Sequence, residues 1–176
     1  MEKVTVGILG LRRGMTHLRN FLAIPEAQVI GAADRIPAMR ERAAELLAST
    51  GARTVAEFED LLAMKPDAVV VASNGKLQVE HACQAMEAGC HVFSEVPGAY
   101  TESELVRLRD TVQRTGKLYM LAENACFWDF LRYWRKWVCE GRLGAVSIAE
   151  AEYLHYLPAT LATPDGTRLT PSEARA

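Results

Sequence analysis

Residues 3–17 read KVTVGILGLRRGMTH and contain, in order, a strand pattern, a glycine turn and the start of a helix. The apolar run ends at Gly10, which can adopt backbone angles that other residues avoid, and Gly14 would let the helix pack close to the strand. The N-terminus of such a helix offers unpaired N–H groups and a partial positive charge to a pyrophosphate. The stretch therefore predicts a dinucleotide-binding βαβ unit, although Arg12 stands where the G-x-G-x-x-G pattern has its second glycine. Arg12 and Arg13 would add positive charge beside the phosphates.

The alternative is an ordinary strand–turn–helix whose glycines serve packing alone, and Asp34 bears on that choice. Asp34 follows a second predicted strand, residues 28–33, and lies 20 residues after Gly14, where a carboxylate would meet the ribose hydroxyls of adenosine. It could instead cap the helix that begins at Pro37. The glycine turn upstream favours the ribose. Arg35, its neighbour, would suit a 2′-phosphate, so the prediction is NAD, with NADP as the alternative.

Strands and helices alternate from residue 3 to residue 122, which predicts a doubly wound parallel sheet with right-handed crossovers. Residues 68–73, AVVVAS, are apolar without alternation, as in a central strand that is buried on both faces. The remaining strands are predicted at residues 90–94 and 118–122. Helices are predicted at residues 14–23, 37–48, 54–63, 76–88 and 101–116, the last opening with a capping box of Thr101 and Glu104.

Polar residues gather where these strands end, and ligands of parallel α/β sheets bind outside the carboxyl ends of the strands. The residues predicted there are Gly10, Asp34, Ser73, Asn74, Glu95, Pro97, Glu123 and Asn124. Their gathering carries more weight than any one of them. His81, on the helix after Asn74, is a candidate cofactor-binding residue, with a hydrogen-bonded core histidine and a surface histidine as the alternatives.

The character of the chain changes after Asn124. Residues 127–140 hold all three tryptophans and are apolar on more than one side, which predicts a helix buried between two bodies. Residues 147–157 follow a strand pattern that places Tyr153 and His155 on one face. We expect this last part of the chain to be prone to non-specific association in isolation and more sensitive to proteases than residues 3–122.

Composition limits the classes of function. The chain of 176 residues is 49% hydrophobic, carries a net charge of −2 and has no basic patch or membrane-length apolar run, so neither nucleic acid nor a membrane is an expected partner. The N-terminus lacks the features of a signal peptide, and a reducing cytoplasm is expected. The four cysteines show no metal-ligand spacing, so no metal is predicted and the cysteines should pack as small apolar side chains.

Three stretches resemble the glucose–fructose oxidoreductase / inositol dehydrogenase (Gfo/Idh/MocA) family. They are VGILGLRRGMTHL at residues 6–18, VVVASNGKLQVEHACQAMEAGCHVFSEVP at 69–97 and GRLGAVSIAEAEY at 141–153. The resemblance implies a Rossmann-type NAD(P)-binding domain over residues 1–124. Residues 125–176 would begin a second α/β domain for substrate binding and oligomerisation. It further implies an N-terminal part of a longer chain that forms a homo-oligomer when complete.

One departure from the family concerns catalysis. The family's Glu-Lys-Pro is here Glu95-Val96-Pro97, and valine cannot replace a lysine that places the nicotinamide and assists proton transfer. The resemblance implies that Ser73, Asn74, Glu95 and Asn124 border the nicotinamide. Glu95, Tyr153 and His155 are then the candidate catalytic residues, and His155 and Tyr153 the candidate general bases.

Three functions remain on the sequence alone. The first is NAD(P)-dependent hydride transfer from a sugar, polyol or sugar derivative. The second is an NAD-dependent enzyme that cleaves a glycosidic bond by transient oxidation, with no net change in the cofactor. The third is a dinucleotide-binding protein without catalytic activity.

Overall fold

The computed structural model describes residues 3–154, and these form an α/β fold around one parallel sheet. Its six strands are β1 Val4–Leu9, β2 Ala27–Ala33, β3 Arg53–Val55, β4 Ala68–Val71, β5 His91–Ser94 and β6 Tyr119–Leu121. Its helices are α1 Gly14–Leu22, α2 Pro37–Leu47, α3 Phe58–Leu62, α4 Gln78–Glu87, α5 Glu102–Thr115 and α6 Asp129–Cys139. Short 3₁₀ turns precede α4 and α6, at Gly75–Leu77 and Ala125–Phe127.

The strands lie in the order β3-β2-β1-β4-β5-β6, and every pair is parallel. The chain thus starts near the middle, moves outward to β3, returns through β4 and moves outward again to β6. This is the doubly wound arrangement that the alternation of strands and helices predicts. The order reverses between β1 and β4, and a crevice for ligands lies at that point in such sheets.

The core consists of two layers, one on each face of the sheet. Met15, Leu18 and Leu47 bring α1 and α2 to one face, whereas α3, α4 and α5 cover the other. Val69 and Val71 belong to the layer of α4, and Val70 belongs to the layer of α1. The uninterrupted apolar run of β4 is therefore buried on both faces, as its sequence predicts.

The ends of α5 carry the predicted local signals. The Thr101 hydroxyl accepts a hydrogen bond from the Glu104 amide at 3.2 Å, and the Glu104 carboxylate accepts one from the Thr101 amide at 3.0 Å. Gly116 closes the helix with a left-handed φ of 64°. The capping box is confirmed, and it satisfies amides that would otherwise lack a partner at the first turn.

The amino ends of β1 and β4 are tied together at the edge opposite the crevice. The Asp67 carboxylate accepts hydrogen bonds from the amide and the hydroxyl of Thr5, at 2.8 and 2.6 Å. The Asp67 amide donates to the Thr5 hydroxyl at 2.9 Å. The side-chain and backbone hydrogen bonds from Thr5 lower the pKa of Asp67.

One predicted helix was wrong in its first half. Residues 54–63 were expected to form a single helix beginning near Thr54, but Arg53–Val55 form β3 and only Phe58–Leu62 are helical. Gly31, Ala32 and Ala33 of β2 pair with this short strand. The backbone of a three-residue strand is stabilised by its neighbour, which a local pattern does not contain.

The chain divides into two compact units at the boundary between Ala122 and Glu123. Within the second unit, the helix predicted over residues 127–140 is present as α6, in which Tyr133 and Trp134 are 60 and 51% exposed; its burial between two bodies stays a prediction. The strand predicted over residues 147–157 is absent from its described part, residues 147–154, which show no regular structure. A strand needs a neighbour for its N–H and C=O groups, and residues 3–154 contain none that pairs with this segment.

The cysteine prediction holds for two of the four residues. Cys83 and Cys90 are buried in the core, whereas Cys126 and Cys139 in the second unit are exposed. No group of three or more histidine, cysteine or acidic side chains within residues 3–154 could hold a metal ion. No helix in that range is long and apolar enough to cross a membrane.

Candidate dinucleotide site

The glycine turn after β1 has the conformation that its sequence predicts. Gly10 has a φ of +83°, a left-handed angle that residues with a Cβ seldom adopt, and a Cβ there would collide with the carbonyl of Ala72. The turn therefore passes directly over the end of β4. The turn can lie this close to the strand only because Gly10 has no side chain.

Gly14 is the first residue of α1, and it brings the helix against the sheet. A Cβ on Gly14 would lie 3.0 Å from Cγ2 of Ile8. The dinucleotide pattern would have its third glycine at residue 15, where Met15 stands, so the turn is one residue shorter than the pattern. The first turn of α1 starts with no side-chain cap and no acidic residue, and Arg12 and Arg13 are exposed beside it. Two exposed arginines thus lie at the start of the helix, where the helix dipole also has its positive end.

Asp34 lies at the carboxyl end of β2 and joins the glycine turn to the helix that follows. Its Oδ2 accepts a hydrogen bond from the Leu11 amide at 2.6 Å, and its Oδ1 accepts one from the Ile36 amide at 2.8 Å. Both interpretations of Asp34 therefore have support, since the carboxylate closes the turn before α2 and also faces the glycine turn. Each carboxylate oxygen has a second lone pair, so the same group can still accept hydrogen bonds from ribose hydroxyls.

Arg35 is exposed next to Asp34, and its carbonyl is held by a second arginine. Nη1 of Arg40 donates to the carbonyl oxygens of Asp34 and Arg35, at 2.8 and 3.0 Å. The loop after β2 is therefore fixed from the side of α2. A guanidinium and a carboxylate stand side by side at this position, which is why the residues alone leave NADP open as an alternative.

Ser73 and His81 form a pair at the carboxyl end of β4. The Ser73 hydroxyl and Nδ1 of His81 are 2.8 Å apart, and the His81 ring packs edge-on against Phe58 at 5.3 Å. Burial lowers the pKa of His81, which favours the neutral ring. Asn74 caps the 3₁₀ turn, with Oδ1 accepting from the Lys76 amide at 3.0 Å. His81 is thus a partly buried, hydrogen-bonded histidine, and its role in cofactor binding stays a prediction.

Glu95 follows β5, and the surroundings of its side chain differ from those that the sequence predicts more than at any other site residue. Its side chain is only 7% exposed, and its Oε1 accepts from Nε of Arg13 at 2.8 Å and contacts Nε2 of His17 at 2.7 Å. Burial alone would raise the pKa of Glu95, but the hydrogen bonds and charges of Arg13 and His17 outweigh it and hold the pKa below its usual value. The carboxylate is thus engaged by Arg13 and His17, and the catalytic role of Glu95 stays a prediction.

Arg13 therefore contacts Glu95, although the sequence assigned it to the pyrophosphate. His17 was not among the predicted site residues, yet it completes the same cluster. The sequence does contain one signal for it, because Arg13 and His17 are four residues apart and share a face of α1. What the sequence lacks is the position of that face relative to β5.

The segment after Glu95 is also held in place. The Val96–Pro97 peptide bond is cis, and the Val96 carbonyl accepts a hydrogen bond from Nε2 of the buried Gln78 at 3.3 Å. The Val96 side chain is 45% exposed, so the position where the family has its lysine is open to solvent within the first unit. A short aliphatic side chain there can neither donate a hydrogen bond nor carry a proton.

The other predicted site residues lie in the second unit or beyond the described chain. Asn124 precedes the 3₁₀ turn Ala125–Phe127, and the Tyr153 ring lies 6.2 Å from that of Trp128. His155 lies outside the described residues. The catalytic roles of Tyr153 and His155 therefore stay predictions.

Comparison with known proteins agrees with this geometry. Residues 4–123 match the sequence profile of the GFO_IDH_MocA group, described as an oxidoreductase family with an NAD-binding Rossmann fold. A glycosyl hydrolase family 109 protein of Porphyromonas gingivalis is 31% identical over 172 residues, covering 89% of this chain and 36% of the relative. A family 109 protein of Akkermansia muciniphila is 30% identical, covering 89% of this chain and 34% of that relative.

Among solved structures, scyllo-inositol dehydrogenase of Lactobacillus casei, crystallised with NAD(H) and scyllo-inositol, superposes with a TM-score of 0.73 at 28% identity. The match covers 81% of this chain and 43% of that enzyme. The chain thus spans about a third of the length of these curated relatives and under half of the dehydrogenase.

Proposed function

Because the chain belongs to the Gfo/Idh/MocA oxidoreductase family, which has an NAD-binding Rossmann fold, we propose that the protein binds NAD and removes a hydride from a carbinol carbon of a carbohydrate. The observation that carries this proposal is the convergence of the Gly10 turn, the start of α1 and the Asp34 carboxylate. Backbone amides would hold the pyrophosphate, Arg12 would add charge, and Asp34 would accept the ribose hydroxyls. A carboxylate there disfavours a 2′-phosphate, and Arg35 is the residue that would favour one.

Bound NAD would supply the hydride acceptor, and the residues of this chain would place it and manage the proton. Ser73, Asn74, Pro97 and Asn124 are proposed to border the nicotinamide, with the Ser73 hydroxyl directed by His81. A general base must take the proton of the substrate hydroxyl. With Val96 at the family's lysine position, Tyr153 and His155 are the proposed candidates.

A second function is favoured by the curated relatives, since the two proteins named above are glycosyl hydrolases. Oxidation of a carbinol carbon makes the hydrogen on the neighbouring carbon acidic. Loss of that proton would allow the glycosidic oxygen to leave by elimination and water to add to the resulting double bond, and bound NAD would supply the means to oxidise the carbon and to reduce it again. The net reaction is hydrolysis with no change in the cofactor. Dehydrogenation and hydrolysis thus share the first step and the same dinucleotide site.

The first test is calorimetric titration of the chain with NAD and NADP, using Asp34→Ala as the variant. We expect saturable binding of NAD, weakened about 10-fold or more by Asp34→Ala through the loss of charge-assisted hydrogen bonds. Asp110→Ala is the control, because Asp110 is an exposed acid paired with Arg109. Absence of binding to either dinucleotide would contradict the proposal.

The two reactions are separated by following NADH absorbance while polyols and aryl glycosides are supplied. Accumulation of NADH with a polyol or sugar would identify a dehydrogenase. Release of the aglycone without accumulation of NADH would identify the hydrolase. NAD binding with neither reaction in the complete protein would indicate a non-catalytic dinucleotide-binding role.

A further inference from the structure

Side chains from two distant parts of the chain meet beside the glycine turn, and we call them the carboxylate clamp: Arg13 and His17 from one part, and Glu95 from the other. Oε1 of Glu95 lies 2.8 Å from Nε of Arg13 and 2.7 Å from Nε2 of His17. The Glu95 side chain is 7% exposed and that of His17 13%, whereas Arg13 is 65% exposed. The inner part of the clamp is thus shielded from water, which makes its electrostatic interactions stronger than those of a surface ion pair.

The protonation of the clamp follows from its partners. Glu95 is ionised, because its pKa lies below the usual value, and an ionised carboxylate can only accept hydrogen bonds. In the contact between the two side chains, Nε2–H of His17 is therefore the hydrogen-bond donor and Oε1 the acceptor. His17 is held in this orientation by Phe93, whose ring meets the imidazole edge-on at 5.5 Å.

The clamp also fixes the backbone after β5. The second oxygen of Glu95, Oε2, accepts from the amide of Val96 at 3.2 Å, and the Glu95 amide donates to the Val71 carbonyl at 2.8 Å. Arg13, just before α1, and His17 on α1 thereby help to hold the segment Glu95–Pro97 beside the end of β4. If the carboxylate lost its partners on α1, it would lose the support that keeps it turned toward the Val96 amide.

The position of the clamp in the sheet indicates which half of a dinucleotide it serves. Asp34 ends β2, the glycine turn ends β1, and Glu95 ends β5, two strands beyond β1 on the side away from Asp34. Two strand spacings amount to about 10 Å. With the adenosine ribose at Asp34 and the pyrophosphate at the glycine turn, the other half of the molecule extends toward β4 and β5.

We propose that His17 is a positioning residue which, together with Arg13, holds Glu95 so that the segment Glu95–Pro97 can receive the nicotinamide half of the dinucleotide. This inference rests on the proposed function. His17 acts through Glu95 and makes no contact with the adenosine half. Replacement of His17 should therefore weaken the binding of the nicotinamide portion and leave the affinity for the adenosine portion unchanged.

The test compares NAD with ADP-ribose, which lacks the nicotinamide, by calorimetric titration of the chain and its variants. We expect His17→Ala and Glu95→Gln each to weaken NAD binding about 10-fold, as for loss of a charge-assisted hydrogen bond. The affinity for ADP-ribose should change less than about two-fold in both. His17→Gln, which keeps a side-chain N–H, should restore part of the NAD affinity. Glu87→Gln is the control, because Glu87 forms an exposed ion pair with Arg114.

The double variant His17→Ala/Glu95→Gln decides whether the two residues act together. Binding no weaker than that of Glu95→Gln alone supports the proposal, because His17 then has no effect without the carboxylate. Additive losses, unchanged NAD binding in His17→Ala, or an equal loss of ADP-ribose affinity would overturn it. If the unaltered chain bound ADP-ribose and NAD equally weakly or not at all, the proposed function itself would fail. Thermal unfolding of each variant identifies any that does not fold. If His17→Ala does not fold, the NAD and ADP-ribose affinities of His17→Gln are compared with those of the unaltered chain instead.

Discussion

At the scale of single residues, Gly10 shows most directly how the sequence specifies the site. Its left-handed φ and its contact with the end of β4 are both consequences of having no side chain. Gly51 has a similar φ, +77°, but no atom lies within 4 Å of the position that its Cβ would take. Comparing substitutions at the two glycines therefore distinguishes the free-energy cost of backbone strain from that of a steric collision.

We predict that Gly10→Ala lowers the free energy of unfolding by about 3 kcal/mol, from backbone strain and the collision with Ala72. Gly51→Ala, the matched control, should lower it by only about 1 kcal/mol, because strain acts there alone. Urea denaturation followed by circular dichroism measures both values. Equal losses in the two variants would show that the close approach at Gly10 adds nothing to stability.

The site was predictable from sequence to the extent that it depends on backbone geometry and local spacing. Gly10, Gly14 and Asp34 lie where the strand–turn–helix pattern places them. The partnership of His17 with Glu95 was not predictable, because the two residues are 78 positions apart and meet only when α1 lies across the end of β5. The sequence therefore contains no indication that the Glu95 carboxylate is buried and hydrogen-bonded to α1.

At the scale of elements, the predictions succeeded where one segment contains its own signal. The capping box of α5 and the apolar run of β4 are of this kind. The prediction failed at Arg53–Val55, whose strand depends on β2, and at residues 147–154, where a strand pattern is present without a neighbouring strand in the described chain. Helices satisfy their backbone hydrogen bonds internally, whereas a strand requires a second segment.

His81 on α4 contacts Ser73 at the end of β4, and its titration makes the free energy of unfolding depend on pH. The pKa of His81 in the folded chain lies below its ordinary value of 6.5, chiefly because of burial. Below pH 6.5 the unfolded chain binds a proton that the folded chain does not, so stability is complete above this pH and falls as the pH drops through the folded-state pKa.

We expect the difference in unfolding free energy between the unaltered chain and His81→Gln to shrink or reverse as the pH is lowered from 7 through this range, because glutamine does not titrate. Chemical denaturation at a series of pH values measures this difference. A constant difference over the whole range would show that burial of the His81 ring does not disfavour its charged form.

At the scale of the whole chain, the two units differ in how many of their residues are buried. All residues of the two core clusters lie between Val6 and Leu108, in the first unit. No residue among positions 123–154 is buried, and α6 exposes several large aromatic side chains. Local opening is easiest where few apolar contacts must be broken.

We therefore predict that limited proteolysis cuts within residues 123–154 before it cuts between Val4 and Leu121. Mass spectrometry of the first fragments would locate the cuts, and circular dichroism of the surviving fragment would show whether the sheet remains folded. The loop after β5, whose exposed residues are Val96, Pro97, Tyr100 and Thr101, serves as an internal control for loop cleavage. Resistance of residues 123–154 equal to that of the first unit would contradict the prediction.

The tie between Thr5 and Asp67 has a consequence for redesign of the molecule. It joins β1 to β4 at the margin farthest from the glycine turn, through three short hydrogen bonds that involve no residue of the dinucleotide site. The register of the two central strands is thus anchored at one margin, while the loops that would select a ligand lie at the other. Altered loops can therefore be introduced at the ligand-binding margin without changing Thr5 or Asp67. Ligand specificity and the stability of the sheet can then be engineered independently of each other.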